Sequence, residues 1–117
     1  AYSQSAGMDT PTPPSGLKPV DFHVLLALTG GPCHGYGIMK AVDRDSAGAV
    51  RLEVGTLYRV LGRLLDDGLL CETGGDGRRR NYGLTPLGRE TLTSEAARLA
   101  GLVARLRARR LVPRANG

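Results

Sequence analysis

Two cysteines, two histidines and a run of arginines are the side chains here whose chemistry could reach beyond packing. Cys33, His34, His23 and Cys71 are types that bind soft metals or respond to oxidants, but a tight site needs three or four ligands that converge. Two helical segments separate these groups, so the spacing predicts no such cluster. The thiols stand 38 residues apart with no CxxC pair, which reads as a reducing cytosol with both sulfurs buried as small hydrophobes. Gly35-Tyr36-Gly37 opens a helix without a preceding strand or a third glycine, so it is a poor dinucleotide fingerprint, and no Gly-x4-Gly-Lys-Ser/Thr phosphate loop occurs. With two histidines and no carboxylate pair on an expected site, the reading is of no enzyme, no catalytic residue, no cofactor and no metal.

The arginines point elsewhere. Of a net charge of +5, residues 1–77 carry six Lys/Arg against nine acids, and residues 78–117 carry ten Arg against Glu90 and Glu95. A basic end of that density suits a polyanion partner, because cations that neutralise phosphates release counterions. Fourteen Arg to two Lys also fits a GC-rich genome, so the placement of the charge carries more than its amount.

These side chains must be positioned by a small fold. At 117 residues the chain is the size of one domain, and 41% hydrophobic with 23% charged residues is a globular composition. No apolar run approaches the ~20 residues of a membrane-crossing helix, so no membrane partner is expected. With no Trp and one Phe, Leu, Val and Ala must pack the core, and a partner subunit would help.

Residues 1–18 are rich in Ser, Gly, Thr and Pro and read as a disordered arm, with the stretch before Met8 resembling an expression scar. Pro19 suits a first helical turn, Phe22, Leu25 and Leu26 share a face, and Gly30-Gly31-Pro32 ends this helix. A second short helix over about 34–45 turns Ile38, Ala41 and Val42 inward. In GTLYRVLGRLLDDGLL (55–70), Leu57, Leu61, Leu64 and Leu65 cluster with Val60 at their edge, while Thr56, Arg59, Gly62, Arg63 and Asp66 lie opposite. Gly68 stops it. LLCETG and RRRNYGL, joined around Gly74–Gly77, predict a hairpin. Thr85 and Pro86 then open a last helix to about Leu111, in which Leu92, Ala96, Leu99, Val103 and Leu106 recur at spacings of four and three. The expected fold class is α+β, mostly α: a winged helix-turn-helix over 19–85, a long C-terminal dimerisation helix over 86–112 and a tail over 113–117.

A short amphipathic helix that follows a helix and a turn is how such folds present side chains to the major groove. Thr56, Tyr58 and Arg59 sit in its first turn, where base edges are reached, and Arg63 one turn later is placed for phosphate. Arg78, Arg79 and Arg80 at the hairpin tip would meet phosphate or a minor groove as a wing. Gly62 on the outer face either permits close backbone approach or has no functional reason.

CHGYGIM (33–39), GTLYRVLGRLLDDGLL (55–70) and RRRNYGLTPLGRE (78–90), in this order and spacing, resemble the winged-helix transcriptional regulators of the PadR (phenolic acid decarboxylase regulator) family over about residues 20–112. The one short last helix resembles the family's short subgroup. The resemblance implies a cytoplasmic homodimer that binds a palindromic double-stranded DNA operator, usually as a repressor, and is released by a small-molecule effector or another signal. By motif, Tyr36 and Lys40 would touch the DNA backbone, and Thr56, Tyr58 and Arg59 would open the recognition helix. Asn81, where an aromatic residue is frequent, and Gly83, where a polar or basic one is common, depart from the pattern. The expected dimer interface is Phe22, Leu92, Ala96, Leu99, Leu102, Val103 and Leu106, with Arg98, Arg105 and Arg109 solvated on the far side. Some relatives stack planar drugs between interface tryptophans; with no Trp, an effector pocket here would be aliphatic or polar. The alternatives are a thiol- or metal-responsive sensor of the same fold, and a winged helix used for protein contacts only.

Overall fold

Pro19 has no N–H to leave unsatisfied in a first turn, and it opens α1 (Pro19–Ala27). The computed structural model describes residues 17–76 and 79–113. Most of the expected disordered arm therefore lies outside the described residues, but Leu17 does not behave as arm: it packs against the core cluster. After the Gly30–Gly31 turn, Cys33–His34 form a two-residue strand, β1, that leads directly into α2 (Gly35–Asp45). The His34 ring caps that helix, its Nδ1 accepting from the Gly37 N–H at 3.1 Å. Ile38, Ala41 and Val42 are buried along α2.

Helix α3 (Val54–Asp66) buries Leu57, Val60, Leu61 and Leu64. Val60, expected at the edge of the apolar face, is core, and Leu65, expected within it, is half-buried. Gly68 takes φ 78° just past the Asp67 C-cap, the left-handed stop that a Cβ would disfavour. Strands β2 (Leu70–Asp76) and β3 (Arg79–Leu84) form the hairpin, so Gly74–Asp76 are strand rather than loop. The three strands make one antiparallel sheet in the order β1–β3–β2, with Cys33 opposite Tyr82 and Cys71 opposite Gly83. Thr73 is bulged between the Glu72↔Tyr82 and Gly74↔Asn81 pairs.

Thr85 caps α4 (Pro86–Ala108) by accepting from the Gly88 N–H at 2.9 Å, and its hydroxyl donates to the Gly68 carbonyl at 2.6 Å. One threonine thus joins the end of α3 to the start of α4. The core lies among α1, α2, α3 and the sheet, where Val24, Leu25, Leu28, Ile38, Val42, Leu57, Leu61 and Leu64 are almost wholly buried. Helix α4 packs on α1 and β3.

The cysteines differ from expectation. Cys71 is exposed on β2, with its thiol 3.8 Å from the Gly83 carbonyl, and Cys33 is half-buried. Cys71 lies on an edge strand of the sheet, whereas Cys33 packs against the core cluster. The Cys33 sulfur fills the space that a Cβ on Gly37 would need, which accounts for glycine at that position.

Candidate nucleic-acid interface

The leucine face of α3 points into the core, and away from it the first two turns hold Val54, Thr56, Tyr58 and Arg59. Tyr58 and Arg59 are exposed and Thr56 is half-buried; Arg59 Nη2 lies 3.5 Å from Thr56 Oγ1, so the two share one patch. Val54, at the first helical position, is exposed despite being apolar, and neither Gly55 nor Gly62 has anything near the position of an added Cβ.

Tyr58 ties this patch to α2. A Cβ on Gly35 would stand 2.8 Å from its hydroxyl, which therefore lies against the first residue of α2. Next to it Tyr36 is 64% exposed, and Lys40 Nζ rides 5.4 Å above the Tyr36 ring centroid. That contact pins the ammonium near the aromatic face without neutralising it. Tyr36, Lys40 and Tyr58 are thus brought together.

Arg51 joins them and was missed by the sequence reading. With Tyr36, Met39, Lys40, Asp43 and Leu52 it lines a shallow hollow, its guanidinium 3.6 Å from Asp43. The only signal was its place in the loop before the GTLY helix, in a half of the chain whose net charge is negative.

Of the wing arginines, Arg78 and the Arg79 side chain lie outside the described residues. Arg80 is exposed, with Nη1 donating to Glu72 Oε2 across the hairpin at 3.3 Å. Tyr82 on the same strand is buried, and burial first, then the neighbouring Tyr58 and Glu72, push its phenol above the usual 10.0. Gly83 faces the bulged Thr73, whose Cγ2 would stand 3.0 Å from a Cβ there, so the side chain the resemblance led us to expect would press on the bulge.

Arg63 is where expectation and structure part. Its guanidinium is not held out for phosphate but donates Nη1 to Asp21 Oδ2 and Nη2 to Asp21 Oδ1, both at 2.9 Å. This fork raises the arginine's pKa, against a smaller opposing effect of burial. A planar guanidinium matches a carboxylate in two parallel bonds, and a surface phosphate would have to compete with that pairing.

The last helix also divides. Leu92, expected at a dimer interface, is buried in the chain's own core, with Gly88, Thr91 and Glu95 also buried. Beyond Glu95 the apolar side chains lose cover: Leu99, Val103 and Leu106 are half-buried, and Leu102 and Ala96 are exposed. Phe22 on α1 is partly buried against the core. Arg98 is not simply solvated; it forks onto Glu95 one turn back at 3.1 and 2.5 Å and holds that carboxyl below its ordinary 4.5. Arg105 and Arg109 are exposed. Among the described residues no three His, Cys, Asp or Glu side chains come together, and no helix is long and apolar enough to cross a membrane.

A helix-turn-helix closed by a β-hairpin wing and followed by a long helix defines a winged-helix regulator. Residues 24–94 match the transcriptional regulator PadR-like family, and the chain belongs to that family, whose members are transcription regulators rather than enzymes. Among solved structures it is similar to a PadR family transcription regulator from hypervirulent Clostridium difficile R20291, at 21% identity and a TM-score of 0.67, over 78% of this chain and 97% of that one. It is also similar to Bacillus subtilis PadR in complex with operator DNA, at 21% identity and a TM-score of 0.59, over 66% of this chain and 47% of that one. Likenesses at this identity speak for the fold. A curated 37.1 kDa protein of unknown role in transposon TN4556 of Streptomyces fradiae is 46% identical over 83 residues; these are 68% of this chain but only 24% of that protein's length.

Proposed function

We propose that this protein is a sequence-specific DNA-binding transcriptional regulator that acts in the cytoplasm as a homodimer on a palindromic operator. The observation that carries the reading is α3: a helix whose inner face is spent on the core and whose first two turns offer Thr56, Tyr58 and Arg59 on the outside, flanked by Tyr36, Lys40 and Arg51. Arg59 reads base edges, while Lys40, Arg51 and the wing residues Arg78, Arg79 and Arg80 meet phosphate. Residues 19–85 form the DNA-binding unit, and the dimerisation segment over 86–112 has α4, Pro86–Ala108, as its helix.

The dimer brings together the uncovered stripe of Leu99, Leu102, Val103 and Leu106, with Ala96 and Phe22 beside it. Two recognition helices related by a two-fold axis then read half-sites about one helical turn, ~34–36 Å, apart. The protein represses transcription and is released by an effector held in an aliphatic or polar pocket, since no tryptophan is present to stack a planar ligand.

Footprinting on the DNA upstream of its own gene, with binding measured across a salt series, tests the reading. A dimer making about 6–10 phosphate contacts loses ~10³-fold or more in affinity between 50 and 200 mM salt. A flat salt response would overturn DNA binding.

A further inference from the structure

We infer that the Asp21–Arg63 pair is a positioning device for sequence reading: it fixes the rotation of α3 about its own axis, and so where Thr56 and Arg59 point. The inference rests on the DNA-binding reading above and goes beyond it, because neither residue needs to touch DNA.

The placement is specific. At 100° per residue, Thr56, Arg59 and Arg63 follow one another along the same outer face of α3, with Arg63 one turn beyond Arg59. Yet Arg63 turns away from solvent onto α1, and the two side chains meet through two bonds of 2.9 Å each. The Asp21 side chain is only 7% exposed and that of Arg63 40%, so the bonds are made at the margin of the core rather than in open water. Asp21 belongs to the first turn of α1, the helix against which both α2 and α4 pack.

Apolar packing on the other side of α3 is non-directional: Leu57, Val60, Leu61 and Leu64 hold the helix against the core but make no bond whose strength depends on angle. A planar fork on a carboxylate makes two, and both weaken as the plane tilts. The magnitudes matter here. Turning a helix by ~20° moves a group ~6 Å from its axis by about 2 Å, which is enough to lose a hydrogen bond to a base edge. Contacts to phosphate from Lys40 and Arg51 come from other segments and are unaffected by that rotation. The pair therefore bears on sequence discrimination and leaves general affinity for DNA alone. Ion pairs of this kind are better attested as devices of register than of stability.

The test uses the full chain and three variants: Asp21→Asn, which keeps the shape, Arg63→Lys, which keeps the charge but not the fork, and Arg63→Met. The wild-type protein first selects a preferred duplex from a random pool. Each variant is then titrated, over a salt series, against that duplex and a scrambled one, with unfolding in urea recorded in parallel. All three are expected to lose at least ~10-fold in the ratio of the two affinities, with binding to scrambled DNA and its salt slope unchanged. The first two are near-isosteric, so they report even where Arg63→Met is too unstable to titrate. Two outcomes overturn the inference: folded variants that discriminate like wild type, or an Arg63→Lys that behaves as wild type while Arg63→Met lowers the salt slope on both duplexes by about one per protomer, the mark of a phosphate ligand. A wild-type protein that selects nothing from the pool overturns instead the DNA-reading function beneath it.

Discussion

The carbonyl oxygen of Leu69 occupies the space that a Cβ on Gly88 would need. The same carbonyl accepts from the Thr85 N–H at 3.2 Å, so the start of the wing and the first turn of α4 are pressed together at one atom. Gly88→Ala forces backbone against backbone and should lower stability by ~1–3 kcal/mol. In a domain of this size each kcal/mol takes roughly 4–8 °C from Tm. Gly62→Ala is the contrast: it lies in a helix, with nothing near its added methyl, and should raise stability by about 1 kcal/mol. Thermal unfolding of both variants checks this, and equal Tm changes would contradict it.

Two of the basic residues of the interface should separate cleanly. Arg59 faces outward near the N-terminal end of α3, so Arg59→Ala should cost ~1–3 kcal/mol on the selected operator and little on scrambled DNA. Lys40, held over Tyr36 on α2, should act on phosphate; Lys40→Ala weakens both duplexes alike and lowers the salt slope by roughly one per protomer. If Arg59→Ala weakens both duplexes equally, another element reads the sequence.

Burial divides the last helix into a half that folds the protomer and a half free to join two. Leu92→Ala, in the core, should cost ~2–5 kcal/mol of unfolding free energy in each protomer. Leu99→Asp should leave the fold intact but give monomers in sedimentation, with operator affinity lost at the same time, because a lone half-site lacks the linked second contact. A Leu99→Asp protein that stays dimeric with native helicity would place the subunit contact elsewhere.

Glu95 supplies a pH dependence of known sign. Arg98 donates two hydrogen bonds to its carboxylate and depresses the folded pKa below the ordinary 4.5. A depressed carboxyl contributes stability above the unfolded pKa and loses it as pH falls through the folded value. Glu95→Gln removes that contribution. Wild type and variant should therefore differ in unfolding midpoint above about pH 4.5 and converge as the solution becomes more acid. Profiles that stay parallel throughout would show that the pair is silent.

Period and punctuation were enough to read every helix from the sequence. Leu57, Leu61 and Leu64 recur at helical spacing, Gly68 and Thr85-Pro86 mark a stop and a start, and each is a local preference that neighbours along the chain enforce. The outward placement of Arg59 follows from the same arithmetic, whereas Tyr58 falls beside Leu65 at the edge of the apolar face and is exposed only because of how the helix packs. What the sequence could not carry are pairings between distant residues. Asp21 and Arg63 stand 42 positions apart, and nothing in either neighbourhood says that a surface-patterned arginine will be drawn onto a carboxylate of the first helix. The two-residue strand at Cys33–His34 has no period of its own and exists because β3 offers it a ladder. Leu92 and Leu99 look alike in the heptad pattern; only the packing of α4 on α1 and the sheet buries one and leaves the other half open. Helix and turn propensities act over a few residues, whereas burial and ion pairing depend on which surfaces meet, and that is decided when the chain closes on itself.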